Sequence, residues 1–470
     1  MSDALRSIFP LADWSVARLS RVTITHGTDP MLPTPYRIGE TAAATQAAVG
    51  LAAADLWALK GGAEQTVTVN ARHATAALRS GKYLGLDGKP VPTDAHPLMG
   101  IYPARDGEWC YLHCNFPNHR AAALEVLGAA EDYDAVARAV ARWDARELER
   151  AIIGAKGAGG RVRTHAEWAE HPQGQAVASL PLMEIVQIGE APPEPLPPGP
   201  RPLSGVRALD LTRVLAGPTC ARTLAEHGAD VLKINGPHLP SIGYQEYDTS
   251  HGKLAAYLDL RDPGNVESLK ALIRSADVFS QGYRPGTLAA RGLSPEALTA
   301  IRPGIVCVSL SAFGHVGPWA DRRGFDTVIQ SVSGIAHRQG EVFPEPRPGP
   351  KFYPVSAIDY LTGNLMAFGA LVALARRARD GGSWLVRISL AQVGHWLVSQ
   401  GQLPPAALED VPGEFETDEL ESWSVTSKTP MGDLRHLGPV VQLPETPPRW
   451  DRPSVPLGYH AAQWPARDSR

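Results

Sequence analysis

Cysteine is scarce: four in 470 residues, too few to staple a chain of this size, so a secreted disulfide scaffold is excluded. Cys110, His113 and Cys114 stand close together, but the second pair that closes a tetrahedral zinc site is missing. These cysteines read as strand-borne core residues, and no metal site is expected. The opening Met-Ser-Asp-Ala-Leu carries no apolar h-region, which makes the cytoplasm the expected compartment. Positive charge is not in excess either. Lys plus Arg number 45 against 49 Asp plus Glu, a formal charge of −4, and no basic field exists for wrapping nucleic acid. Long uninterrupted apolar runs are absent. Residues 42–59 are Ala-rich but broken by Thr, Gln and Asp, so no membrane span is expected. The strings G-x-x-x-x-G-K-[ST], G-x-S-x-G and H-E-x-x-H do not occur, which removes P-loop NTPases, α/β-hydrolases and zincins. Leu211-Thr-Arg-Val-Leu-Ala-Gly-Pro218 lacks the G-x-G-x-x-G of a dinucleotide site.

What is present is the composition of a protein with large cores: 44% hydrophobic and 20% charged residues. The clearest boundary is the Pro-rich run 191–202, a semi-rigid linker. Beyond it, β-rich runs at 206–211, 231–234, 278–280 and 305–310 alternate with helical patterns at 220–227, 266–275, 294–301 and 325–335. That alternation predicts a Rossmann-like, doubly wound parallel sheet over residues 204–405. Residues 1–190 read as α+β material with a smaller sheet, including strands at 66–69 and 183–188, 191–203 as the linker, and 406–470 as an irregular Pro-rich surface tail. A shift of 319 residues superposes a helix, a glycine break and a β-branched strand around Gly50, Gly62 and 67–69 on those around Gly369, Gly381 and 386–388. Two unrelated αβ units would align comparably, so the repeat has two explanations at this point.

On the loops after the strands, where open α/β sheets bind ligands, stand Leu258-Asp-Leu-Arg261, Gly282-Tyr-Arg-Pro-Gly286, Arg291-Gly-Leu293, Ser311-Ala-Phe-Gly-His-Val-Gly-Pro-Trp319 and Arg323-Gly-Phe-Asp326. Their ordered spacing, from Gly205-Val-Arg-Ala-Leu-Asp-Leu-Thr to Asp359-Tyr and an Ala-rich helix, resembles the class III coenzyme A transferases, a family that includes the α-methylacyl-CoA racemases. The resemblance implies that Asp359, in Val355-Ser-Ala-Ile-Asp-Tyr360, is a covalent nucleophile acting on acyl-CoA thioesters. Backbone N–H groups at a glycine turn or helix start would hold the oxyanion. Read without the family, an Asp in this position is a helix N-cap.

The same resemblance assigns Val214, Leu215, Arg261, Tyr283, Arg291 and Asp326 to coenzyme A binding or its support, with coenzyme A as substrate and no tightly bound cofactor. It also implies a homodimer. Residues 36–187 resemble the part of the family that normally follows the catalytic helix, so the order of parts is permuted, and the shift of 319 sets Glu40, read as structural, opposite Asp359. Three positions depart from the family: Gly282, Leu254 and Gly236 stand where CoA-contacting residues are expected. The racemase branch needs a His where Phe325 stands, and phenylalanine accepts no proton; His315 lies eleven residues upstream of Asp326. Transferase therefore ranks above racemase, and a CoA-binding relative without catalysis is the third reading.

Overall fold

The computed structural model describes residues 3–93 and 95–466. Its largest sheet has seven strands, in the spatial order Lys253–Tyr257, Asp230–Asn235, Arg207–Leu211, Val278–Gln281, Val306–Ser311, Ser383–Ser389 and Glu184–Gly189. The first six are parallel. Val, Leu, Ile and Ala dominate their buried positions because helices cover both faces. The order reverses at Arg207–Leu211, whose neighbours are the second and fourth strands of the series, so the loops leaving it and Val278–Gln281 diverge and open a crevice.

Two sequence expectations need correction. The strand near 183–188 was assigned to a smaller sheet, but Glu184–Gly189 is the antiparallel edge of the large one, paired with Ser383–Ser389. Its half-exposed residues suit an edge, and the Pro-rich run then leads away to Arg207–Leu211. Residues beyond 406 are not an irregular tail. Ser424–Thr429 and Gly432–Leu437 form a hairpin that extends through Gly85–Leu86 and Lys89–Pro90 into a four-stranded sheet. Pro430 falls in the turn of the hairpin, and the strands Ser424–Thr429 and Gly432–Leu437 are largely polar because much of their surface meets water. Farther on, the His460 N–H donates to Ala255 O at 2.7 Å, which covers the edge strand Lys253–Tyr257.

Gly100–Pro103, Trp109–Leu112 and Gly159–Arg161 form a small antiparallel sheet packed by the helices Pro117–Leu127, Tyr133–Val140 and Ala145–Gly154 around a core of its own. Cys110 and Cys114 are buried there as free thiols.

The helices Ile38–Leu59 and Ala357–Asp380 are both long and apolar enough to cross a membrane, and both are largely buried, packed against each other in the main core. This pair explains the repeat. Asn364 Nδ2 donates to Thr45 Oγ1 at 3.3 Å, 319 residues away. Two positions equivalent under the shift thus touch, as residues beside a two-fold axis do. The glycines match in function as well. A Cβ built on Gly50 would lie 2.5 Å from Val67 Cγ1, and one on Gly369 would lie 2.6 Å from Val386 Cγ1; both pairs obey the shift. Val22–Thr25 runs parallel to Val67–Asn70 as Val306–Ser311 does to Ser383–Ser389. Val441–Gln442 closes the opposite edge antiparallel, as Glu184–Gly189 does. The first copy is a fragment of the second, built on a separate three-stranded sheet.

Candidate active site

The loops after the five strands from Arg207–Leu211 to Val306–Ser311 converge on a cavity of about 600 Å³. Asp359, Val214, Arg261, Tyr283 and Arg291 all line it. Leu215 does not; it is buried as the residue that precedes the helix Ala216–Glu226, between the lining residues Val214 and Ala216. Val214 has φ +71°, a left-handed conformation that a β-branched side chain adopts only under strain, and such strain collects at functional sites. It turns the chain sharply from strand into helix beside the cavity.

Asp359 sits on the first turn of Ala357–Asp380 and is 7% exposed. It is the only carboxylate among the described residues lining the cavity. Burial, with the neighbouring Asp326 second, raises its carboxyl well above the usual carboxylate range. Asp326 itself does not line the cavity. Its oxygens are committed: one accepts from the Asp359 N–H at 3.0 Å, the other from Gln330 Nε2. It therefore caps the helix Ala357–Asp380 from a separate element, and burial pushes its carboxyl up to about 6. The Gln330 Oε1 accepts from the Tyr353 N–H at 3.2 Å, and the Tyr353 hydroxyl accepts from the Ile358 N–H at 3.3 Å. The ring closes on itself. The N–H groups of Ile358 and Asp359 are thereby used, so the first turn does not offer them to an oxyanion.

Tyr360 fixes the next step of the helix. Its hydroxyl donates to Asp248 at 2.9 Å, where Ser80 also donates at 2.9 Å and Arg222 forms an ion pair at 3.1 Å. The Ser356 N–H donates to Leu78 O at 3.0 Å. Residues of the first copy thus brace the start of the helix that carries Asp359.

Six arginines join an otherwise largely apolar lining: Arg213, Arg261, Arg284, Arg291, Arg322 and Arg323. A chain of net charge −4 therefore presents a cationic cleft, which suits a polyphosphate ligand. Arg261 stands at the rim, 62% exposed and paired with Asp259, and Arg291 is braced on the carbonyls of Leu260 and Thr287 at 2.9 and 2.7 Å. Sequence reasoning missed Arg213, Arg284 and Arg323, although each lies inside a quoted motif string. Lys253, beside the departure at Leu254, is spent in a fully buried pair with Asp210 at 2.8 Å. Phe116 and His119, contributed by the small domain, were also missed. They meet Phe325 with ring centroids 5.7 and 5.6 Å apart, and His113 stacks on Phe325 at 3.8 Å. His315 is outside the lining and lies 3.6 Å from Glu184.

The sequence pattern of CoA-transferase family III matches residues 11–192 and 203–433. The chain belongs to this family. It is similar to an acyl-CoA transferase of Gibberella moniliformis, 26% identical over 93% of this chain and 89% of that relative. It is 30% identical to the acetyl-coenzyme A transferase nodX of Hypoxylon pulicicidum over 64% of this chain and 54% of that one. With the succinyl-CoA–D-citramalate CoA-transferase of Chloroflexus aurantiacus it shares 36% identity over 41% of this chain. The chain spans about half the length of these last two relatives, 54% and 50%. Among solved structures, a CaiB/BaiF family protein from Brucella suis is 31% identical over 42% of this chain, with a TM-score of 0.38.

Proposed function

We propose that this family III member moves coenzyme A between an acyl-CoA thioester and a carboxylic acid through a covalent intermediate on Asp359. The observation that supports the reading best is the isolation of Asp359 as the only carboxylate, among the described residues, lining a cleft otherwise rich in arginine. A carboxylate oxygen of Asp359 attacks the thioester carbonyl and expels the CoA thiolate, which leaves a mixed anhydride. The thiolate then attacks the aspartyl carbonyl, releases the first acid as its carboxylate and forms an aspartyl-CoA thioester. An incoming carboxylate displaces the thiolate to give a second anhydride. Thiolate attack on the new acyl carbonyl returns free Asp359 and a new acyl-CoA. No net proton is consumed. The raised basicity of Asp359 makes it a stronger nucleophile once ionised, and Asp326 with Tyr353 holds its backbone in place.

Hydroxylamine trapping during turnover, followed by peptide mass spectrometry, should place a hydroxamate on Asp359. Turnover in Asp359→Asn without trapping at that position would defeat the mechanism. A burst of CoA from an acyl-CoA separates this reading from a non-catalytic CoA binder. The racemase reading predicts solvent deuterium at the α-carbon of a branched acyl-CoA without an acceptor acid, and Phe325 together with the remote His315 argues against it. Cytoplasmic location and a homodimeric state belong to the same proposal, tested by fractionation and sedimentation.

A further inference from the structure

A CoA thioester has a charged end, a reactive end and a neutral segment between them. The phosphates need cations, and the thioester carbonyl must reach the nucleophile. The pantetheine arm that joins them carries secondary amides, whose donors and acceptors are costly to bury unless the protein supplies partners. The cleft has six arginines and, among the described residues, the single carboxylate Asp359. His119 lies between these two sets.

On one side it meets the aromatic wall next to the nucleophile. Its ring packs on that of Phe325 at 5.6 Å and 67°, and Phe325 precedes Asp326, whose carboxylate accepts from the Asp359 N–H at 3.0 Å. On the other side it meets the cations. Phe116 stands 5.8 Å from His119, and the Arg213 guanidinium lies over that same Phe116 ring at 5.5 Å. Arg284 and Arg323 also act on the imidazole: burial first, then the charges of Arg323, Arg213 and Arg284, push it down to about 4, so it is neutral at ordinary pH. Arg213 and Arg323 are anchored on the carbonyls of Pro240 and Lys156 rather than on carboxylates, which leaves their charge for an anion.

The imidazole itself is unspent. His119 is 7% exposed, it lines the cavity, and neither ring nitrogen bonds another described residue. Its Nδ1 is enclosed, which leaves Nε2 as the nitrogen open to the cavity. A neutral imidazole donates or accepts at Nε2 according to its tautomer, so it can serve either half of an amide. His113, whose ring stands 6.0 Å away, is outside the lining and backs the wall instead.

We propose that His119 binds the pantetheine arm of coenzyme A, hydrogen-bonding one of its amides from the small domain and so fixing how far the thioester advances towards Asp359. This rests on the reading that the cleft holds the thioester at Asp359, and it does not require a covalent intermediate there.

The test is calorimetric and involves no chemistry at Asp359. Coenzyme A and adenosine 3′,5′-bisphosphate, which lacks the pantetheine arm, are titrated into the wild type, His119→Phe and His119→Gln. Phenylalanine keeps a flat ring in the stack without the hydrogen bond, and glutamine restores a donor and an acceptor. His119→Phe should weaken coenzyme A about 10-fold, His119→Gln should recover most of that loss, and both should bind the bisphosphate within about twofold of the wild type. Equal losses for the two ligands would overturn the proposal, because the effect would then lie at the phosphate end or in the fold. Unchanged coenzyme A affinity in His119→Phe would overturn it too, and a loss seen with butyryl-CoA but not with free coenzyme A would move the contact to the acyl group. Should His119→Phe fail to fold, the imidazole nitrogen resonances of the wild type decide: a larger His119 shift with coenzyme A than with the bisphosphate supports the proposal, and the reverse overturns it. A wild type that does not bind coenzyme A would defeat both this proposal and the reading of the cleft. The expected binding pattern without a hydroxamate on Asp359 would defeat the covalent mechanism alone.

Discussion

Two corners of this molecule share a backbone design and differ in what they open onto. In one, Asp326 accepts from the Asp359 N–H at 3.0 Å, with the Ile358 N–H also directed at it. In the other, Asp29 accepts from the Glu40 N–H at 2.9 Å and the Gly39 N–H at 3.1 Å. Gly27-Thr-Asp29 answers Gly324-Phe-Asp326, and burial raises both capping aspartates to about 6. The acid on the helix is then treated differently. Asp359 faces an arginine-lined cavity, whereas Glu40 pairs with Arg37 at 2.9 Å and lies outside that lining. Capping a buried helix with a carboxylate from another segment is therefore a folding device, and what sets the first corner apart is the cleft added to it.

The largest effect that separates the corners is chemical. Asp359→Asn should reduce CoA transfer by at least about 10⁴-fold, while Glu40→Gln changes it less than about twofold. A steady-state CoA exchange assay measures both, and comparable losses would erase the distinction. Next come the caps. Asp326→Ala and Asp29→Ala each strand buried N–H groups and should each cost about 1–3 kcal/mol in urea denaturation, but only Asp326→Ala should also slow the CoA burst, by about 10-fold or more.

The pH dependence sharpens the contrast. Burial and the negative Asp326 both oppose loss of the Asp359 proton, so the single-turnover rate should rise with pH along a limb displaced above the ordinary carboxylate range. Asp326→Asn removes the like charge and should move that limb to lower pH, whereas Asp29→Asn should leave it in place. The smallest expected effects test the symmetry itself. Gly50→Ala and Gly369→Ala both force a methyl into a valine, at about 1–3 kcal/mol each, and Thr45→Val, which removes the acceptor of Asn364, should cost about 1 kcal/mol by thermal denaturation.

The Rossmann-like sheet was legible because parallel strands buried on both faces need Val-, Leu- and Ile-rich runs, as at 206–211 and 305–310. The lining positions Val214, Arg261, Tyr283 and Arg291 were assigned by the family resemblance, whose motifs stand on loops after those strands, the place where such sheets bind ligands. Phe116 and His119 were not. They reach the cavity only because the small domain docks there, about 200 residues upstream of Phe325 in the chain, and no local pattern encodes a docking. The resemblance gave Asp326 either a coenzyme A contact or a supporting role, and its two oxygens are consumed by Gln330 and the Asp359 backbone, which is the supporting arrangement. The hairpin of Ser424–Thr429 and Gly432–Leu437 escaped notice because its largely polar strands show little hydrophobic alternation.

The hydrogen bond between Thr45 and Asn364 has a consequence for how the molecule behaves when scarce. It joins two helices that belong to one covalent chain. Their pairing is set by an intramolecular effective concentration rather than by the amount of protein in solution. Leu78 and Ser80, which brace the start of the helix that carries Asp359, come from the tethered first copy and so remain at their posts at any dilution.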